Sequence, residues 1–362
     1  MTFRGKVVRG LGVALAATLI TVPLTGAAQA ETNDPYSAKL WNLQQIHAED
    51  AWPTSTGEGA VVAVVDSGVD LDQPDLAGQL VPGITTVGCP DGETYCSDGD
   101  WVGPDGTADA EDVHGTHVSG TIAAVADNGI GVAGVAPHAK IMPVKALDAG
   151  TGTTEDIAAG IRWAVDHGAD VINMSLGSSP PFDLLTVAGL TPEWQEAVDY
   201  ATDHGVLVVA AAGNSTWPFC SDPANVGGVL CVTATGPNEL PAYYSNLGLN
   251  LSNLNNDTVA APGGNALTCD GDVWSTIPVG AESSCGTEGY DAMAGTSMAT
   301  PAVSGVAALL YAQCRDRANV LAAIESTATV PLVGRTSPLT LPAYGRGIVD
   351  AAKAVTYEGA TC

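Results

Sequence analysis

Three short segments of this chain set a carboxylate, an imidazole and an alcohol beside glycine. They are Asp66-Ser67-Gly68, His114-Gly115-Thr116-His117-Val118-Ser119-Gly120 and Gly295-Thr296-Ser297-Met298-Ala299-Thr300-Pro301. These groups are the parts of nucleophilic catalysis. A serine hydroxyl is a poor nucleophile at neutral pH and needs a base within hydrogen-bond reach, and the base needs a third group to orient it. Each residue also has an ordinary reading. An aspartate after a buried strand is often a turn residue, and a serine before a helix most often caps it. His114 and His117, three residues apart, suggest metal, yet no third ligand follows at zinc spacing. The joint occurrence, in the order Asp, His, Ser and each at a strand-to-helix junction, is what favours catalysis.

Such chemistry needs a rigid frame, and the apolar pattern supplies one. Residues 60–65 read AVVAVV without alternation, which predicts a strand covered on both faces, as in a parallel sheet. Further strands are predicted over 140–146, 170–176 and 206–212. Helices are predicted over 114–126, 155–168, 192–205 and 297–313, with Pro192 in a first turn and Gly168 as a stop. The alternation predicts an α/β fold: a doubly wound, mainly parallel sheet with helices on both faces, in a single domain. Function in such sheets gathers at the carboxyl ends of the strands, where Asp66, Gly177 and Gly213 fall. Two stretches read as inserted loops, an acidic one over 88–112 and an apolar, proline-bearing one over 178–191.

Composition narrows the setting. Hydrophobic residues make up 46% and charged residues 14% of the 362, enough for a large core and against wholesale disorder. Asp plus Glu number 40 against 12 Lys plus Arg, a formal charge of -28, which excludes a nucleic-acid binder and argues against docking on anionic lipid. Residues 1–30 read as a secretory signal peptide. Arg4, Lys6 and Arg9 lead, Leu11 to Leu24 is apolar, and Ala28-Gln29-Ala30 supplies a small-x-small cleavage site. Cleavage removes three cations and no anion, so -28 becomes -31 for the chain from Glu31 onward. The mature protein is expected to be secreted and extracellular, with no membrane anchor and as a monomer. Its eight cysteines read as disulfides in that compartment. They admit about a hundred pairings, and sequence neighbours are the expected ones: Cys89–Cys96, Cys220–Cys231, Cys269–Cys285 and Cys314–Cys362.

With these motifs, and with Ala211-Ala212-Gly213-Asn214 and Val171-Ile172-Asn173-Met174-Ser175-Leu176-Gly177, the chain resembles the subtilisin-like serine proteases, the subtilases, from about Trp41 to about Ala308. The resemblance implies a subtilisin-like catalytic domain over 31–362. It assigns Asp66, His114 and Ser297 to a triad that hydrolyses peptide bonds in proteins or peptides through an acyl-enzyme, with His114 rather than His117 as the base. It gives Asn214 to the oxyanion hole. Substrate would add as a strand between Gly150-Thr151-Gly152 and Ser175-Leu176-Gly177, with 175–177, Ala212 and Gly213 walling a small apolar pocket. No cofactor is required for the chemistry. A structural calcium is implied at Asp75 and at Asp127-Asn128, where the local sequence is altered. Between residue 30 and Asp66 there is no room for the family's inhibitory prodomain. Activity should fall below a pH of about 6.5 as the base protonates. The acidic residues before His114 read first as a solvated surface loop; the sharper readings are a calcium site or a field in which Asp112 and its neighbours favour cationic side chains flanking the cut. Two other readings stand beside the protease: a catalytically silent binding module on the same fold, and a metal-dependent hydrolase using the two histidines.

Overall fold

The β-branched runs form the middle of one parallel sheet. The computed structural model describes residues 32–178, 192–250, 257–335 and 341–358. Seven strands, Val61–Asp66 (β1), Ile84–Thr85 (β2), Lys140–Lys145 (β3), Val171–Met174 (β4), Leu207–Ala211 (β5), Val229–Thr235 (β6) and Thr258–Pro262 (β7), lie in the order β2-β3-β1-β4-β5-β6-β7. Every pairing is parallel, with Asp66 opposite Lys145 and Val64 opposite Asn173. A separate antiparallel pair, Val273–Thr276 (β8) and Tyr290–Met293 (β9), lies outside this sheet.

The missing alternation in β1 has a direct cause. Val62 and Val64 enter one core, with helices His114–Ala123 (α1) and Thr296–Tyr311 (α4). Ala63 and Val65 enter a second core, with helices Thr154–Asp166 (α2) and Pro192–Asp203 (α3). Both faces are therefore apolar, the signature of a doubly wound sheet. The chain reverses its winding direction about β1, which sits between β3 and β4, and a crevice opens beyond its carboxyl end. Asp66 stands there.

The predicted elements appear with their ends moved by a few residues. α1 stops at Ala123 because Ala124 turns extended and the Val125 N–H leaves the helix for the Asp75 carbonyl, 2.9 Å away. β2, β6, β7 and the β8–β9 pair were not anticipated. β7 reads Thr-Val-Ala-Ala-Pro, short, small and ended by proline, and pairing with β6 on one side and with the 346–349 segment on the other holds it extended. Most of the predicted loop over 178–191 lies outside the described residues.

Three of the four expected disulfides form: Cys89–Cys96, Cys220–Cys231 and Cys269–Cys285. Cys314 is also disulfide-bonded, and Cys362, its expected partner, is outside the described residues. Cys220–Cys231 ties the segment after β5 to β6 across 11 residues. Replacing both cysteines with alanine should lower unfolding free energy by about 3 kcal/mol, from the loop entropy released to the unfolded chain. Denaturant titration checks this, and an unmoved midpoint would contradict it.

Candidate active site

β1 ends in Asp66, held in place because its carbonyl accepts from the Ala146 and Leu147 N–H groups at 2.8 and 3.1 Å. Its carboxylate Oδ1 accepts from the Ser67 N–H at 2.8 Å and meets His114 Nδ1 at 2.7 Å. An imidazole whose Nδ1 donates to a carboxylate presents Nε2 as an acceptor. The contact requires the start of α1 to press against the turn after β1. A Cβ on Gly115 would lie 2.1 Å from the Gly68 carbonyl oxygen, so glycine is needed there. Gly68 has φ +93°, and a Cβ on it would fall 2.5 Å from the Asp100 carbonyl oxygen.

Side chains lock this junction. Ser67 Oγ donates to the Asp112 carbonyl and accepts from the Gly115 N–H, both at 3.0 Å. The fully buried Lys145 ammonium donates to the carbonyls of Ser67 at 2.9 Å and Trp101 at 3.2 Å. It also pairs with Asp112 at 3.4 Å and Asp148 at 3.6 Å. Asp112 is thus buried beneath the junction and does not face substrate, contrary to the expectation for it. Burial raises its pKa above the ordinary carboxylate value, opposed by the Asp109 N–H and Lys145. Glu111, next to it, is exposed and packs over Gly150.

The two histidines of the motif part ways. His117 is fully buried, and its Nε2 donates to the Val273 carbonyl at 3.0 Å. Burial pushes its pKa down to about 4, helped by the nearby His114. It is a neutral packing residue, which removes the basis for a two-histidine metal centre. For His114, burial pulls the pKa down, but the charge and hydrogen bond of Asp66 outweigh it and leave the value above ordinary imidazole.

Ser297 is the second residue of α4, after Gly295 as N-cap. Its Oγ donates to the Ser175 carbonyl at 3.0 Å, so the hydroxyl rests against the end of β4 rather than on the imidazole. Asn214 Oδ1 accepts from the Thr296 N–H at 2.9 Å and from Thr296 Oγ1 at 3.0 Å. Because a backbone N–H can only donate, this fixes the amide orientation and leaves Nδ2 to donate elsewhere.

One cavity of about 800 Å³ brings Asp66, His114, Ser297 and Asn214 together. Gly150, Thr151 and Gly152 line it after β3, and Ser175, Leu176 and Gly177 line it after β4. Ala212 and Gly213 are not among its lining residues. Ala212 is buried with its N–H on the Val232 carbonyl, and the Gly213 N–H donates to Thr296 Oγ1 at 3.1 Å. Glu111, Trp194 and Asp222 also line the cavity; Glu111 lies in the acidic stretch and Trp194 in the helix predicted over 192–205, and Asp222 lies in neither. Among the described residues lining it there is no lysine or arginine.

The expected calcium residues are only partly joined. Asp75 is fully buried, and its carboxylate accepts from Asn128 Nδ2 at 2.7 Å and the Val132 N–H at 2.9 Å. Asp127 turns away, its carboxylate on the Asn33 N–H at 3.0 Å. The second buried carboxylate is Asp34, unanticipated, which accepts from the N–H groups of Asp127, Asn128 and Gly129. Burial first, and repulsion from Asp34 among the lesser causes, push the Asp75 pKa up to about 6. Two buried carboxylates with hard oxygens and mutual repulsion are a donor set that suits calcium, although the described residues hold no cluster of three or more His, Cys, Asp or Glu.

Residues 57–347 match the family model described as the subtilase family. Thermitase of Thermoactinomyces vulgaris is 38% identical over 327 residues, covering 90% of this chain and 99% of the relative. The extracellular basic protease of Dichelobacter nodosus is 35% identical over 365 residues, covering 90% of this chain and 56% of the relative. Among solved structures, a protease of Pseudoalteromonas arctica superposes with a TM-score of 0.73 at 35% identity, covering 90% of this chain and 99% of that one.

The Asp66 contact has a measurable consequence. A group whose protonated form is favoured in the folded state titrates late, so the His114 ring, followed by NMR, should have its midpoint above about 6.5. In Asp66→Asn the midpoint should fall below the parent value. Equal midpoints in the two proteins would contradict the geometry.

Proposed function

The chain belongs to the subtilase family of serine-type endopeptidases, and we propose that Ser297, His114 and Asp66 carry its peptide-bond hydrolysis. The observation that carries the assignment is the 2.7 Å bond from His114 Nδ1 to Asp66 Oδ1, in the same cavity as Ser297 and Asn214. The Ser297 hydroxyl turns from the Ser175 carbonyl to His114 Nε2, which takes its proton as Oγ attacks the substrate carbonyl carbon. Asp66 holds the ring and stabilises the imidazolium. The oxyanion that forms meets Asn214 Nδ2 and the Ser297 N–H, which lies in the first helical turn where α4 offers no carbonyl partner. Removing one such donor costs about 3 kcal/mol, a value known from this family. His114 then returns the proton to the leaving amine, the C–N bond breaks, and water releases the acyl group by the same steps in reverse.

Substrate lies as a strand between 150–152 and 175–177, its backbone close to both because glycines line the approach. Gly152 admits no side chain, since a Cβ there would lie 2.1 Å from the Ala146 carbonyl oxygen. Secretion is supported by the leader-like residues 1–30 and by a relative named as extracellular. Among the described residues no helix is long and apolar enough to cross a membrane. The net charge supports a monomer through self-repulsion. The Asp34 and Asp75 carboxylates would hold calcium, whose charge would offset the repulsion between them and stabilise the fold without entering the chemistry.

Three outcomes test this reading. A fluorophosphonate should label the protein at one site, and Ser297→Ala should abolish both labelling and hydrolysis; labelling that survives the substitution overturns the assignment. A calcium chelator should lower the melting temperature by roughly 5 °C, and an unchanged melting temperature removes the calcium. Glu111→Gln should reduce the preference for lysine over norleucine in matched peptides by about three-fold. A preference unmoved by the substitution would show that Glu111 does not read substrate charge.

A further inference from the structure

Beneath the cavity runs a chain of buried polar side chains that the catalytic steps do not use. It begins at Ser304, whose Oγ donates to Asn173 Oδ1 at 2.8 Å. Asn173 Nδ2 donates to Ser175 Oγ at 3.0 Å. Ser175 Oγ in turn donates to the Ser297 carbonyl at 2.7 Å. Asn173 and Ser304 are fully buried, and Ser175 is 3% exposed.

Secondary structure brings the four residues into line. Asn173 and Ser175 are two apart at the end of β4 and so share a face, the one on which Val171 packs into the core with α4. Ser297 and Ser304 are seven apart on α4, two turns along one stripe. The chain is therefore a polar ladder between a strand and a helix that otherwise meet through apolar contacts.

Its last rung exists because of Pro301. In an α-helix the Ser297 carbonyl would accept from the N–H of residue 301, and proline has none. That carbonyl is left for another donor, and Ser175 Oγ supplies it. Ser297 answers with its own hydroxyl on the Ser175 carbonyl at 3.0 Å. The serine at position 297 is thus tied twice to Ser175.

The direction of the bonds gives the remote residues their influence. With the Ser304 hydroxyl donating to Oδ1, the Asn173 amide must present Nδ2 to Ser175. Ser175 Oγ then accepts there and has its proton free for the Ser297 carbonyl. If Ser304 loses its hydroxyl, nothing holds the amide in that sense. An amide turned over presents Oδ1 to Ser175, whose proton then goes to Asn173, and the Ser297 carbonyl loses its donor.

We propose that Asn173 and Ser304 are positioning residues that set Ser297 through Ser175. This rests on Ser297 as the nucleophile. A shift of the helix start moves Oγ relative to His114 and to an oxyanion donor at once, and catalysis is sensitive to misplacements below an ångström.

The test is the per-site kinetics of Ser304→Ala, Asn173→Ala and the double variant, with competent sites counted by a fluorophosphonate titrant. Each single variant should lose about ten-fold in kcat, with KM within two-fold of the parent. The second-order labelling rate should fall in step with kcat. The double variant should be no slower than Asn173→Ala alone, because both residues act through one chain. A merely structural role would lower the melting temperature and the titrated fraction while leaving per-site kcat and labelling rate at parent values, and that result overturns the proposal. Losses confined to KM also overturn it, since they would place the residues with the substrate edge. Should one single variant fail to fold, the other decides by the same criteria. A parent chain that is not labelled at Ser297 would overturn the hydrolase mechanism and this assignment with it, whereas a labelled parent with unaffected variants overturns this assignment alone.

Discussion

The site depends on how closely a strand end and a helix start can approach. The bond between Asp66 and His114 forms only when the first turn of α1 lies against the turn that follows β1. Glycine at 115 and at 68 supplies the clearance, since a Cβ at either would enter a carbonyl oxygen. These glycines therefore set the contact between Asp66 and His114, although neither has a side chain in it. The rest of the molecule supports that junction: two apolar cores fix the strand from both faces, and Ser67 bridges the segments that hold the two side chains.

Electrostatics reinforce the same place. In a chain with a formal charge of -28, the one fully buried lysine among the described residues is Lys145, opposite Asp66 in the sheet. Its ammonium is compensated by carbonyls and by Asp112 and Asp148. Removing either partner would strand the other charge. The acidic insertion is consequently divided in function. Asp112 anchors it from below, while Glu111 is left on the cavity wall.

Much of this was legible in the residues themselves. The β-branched run over 60–65, the helix-forming stretches and the glycine-flanked Asp, His and Ser segments announced the sheet and the site, because buried parallel strands and tight junctions leave strong local marks. Other features leave none. Strand β7 is short and alanine-rich, and its extended form comes from the segments paired on either side of it. Asp34 sits in an unremarkable loop and meets Asp75 only through folding. Ala212 and Gly213 follow a strand, as a pocket wall would, but Ala212 bonds across to Val232 and Gly213 to Thr296, and Asn214 is the group that faces the cavity. The link from Ser304 to Ser297 joins ordinary serines and an asparagine across a strand–helix interface that spacing alone does not reveal.

The proposed hydrolysis requires a hydroxyl that rests on the Ser175 carbonyl and moves to His114 when substrate arrives. A crystal structure of the protein carrying a peptide boronate measures this directly. Boron should be bonded to Ser297 Oγ, with that oxygen within about 3 Å of His114 Nε2 and Asn214 Nδ2 on a boronate oxygen. A covalent adduct on any other residue, or one on Ser297 with the imidazole out of reach, would contradict the proposed hydrolysis.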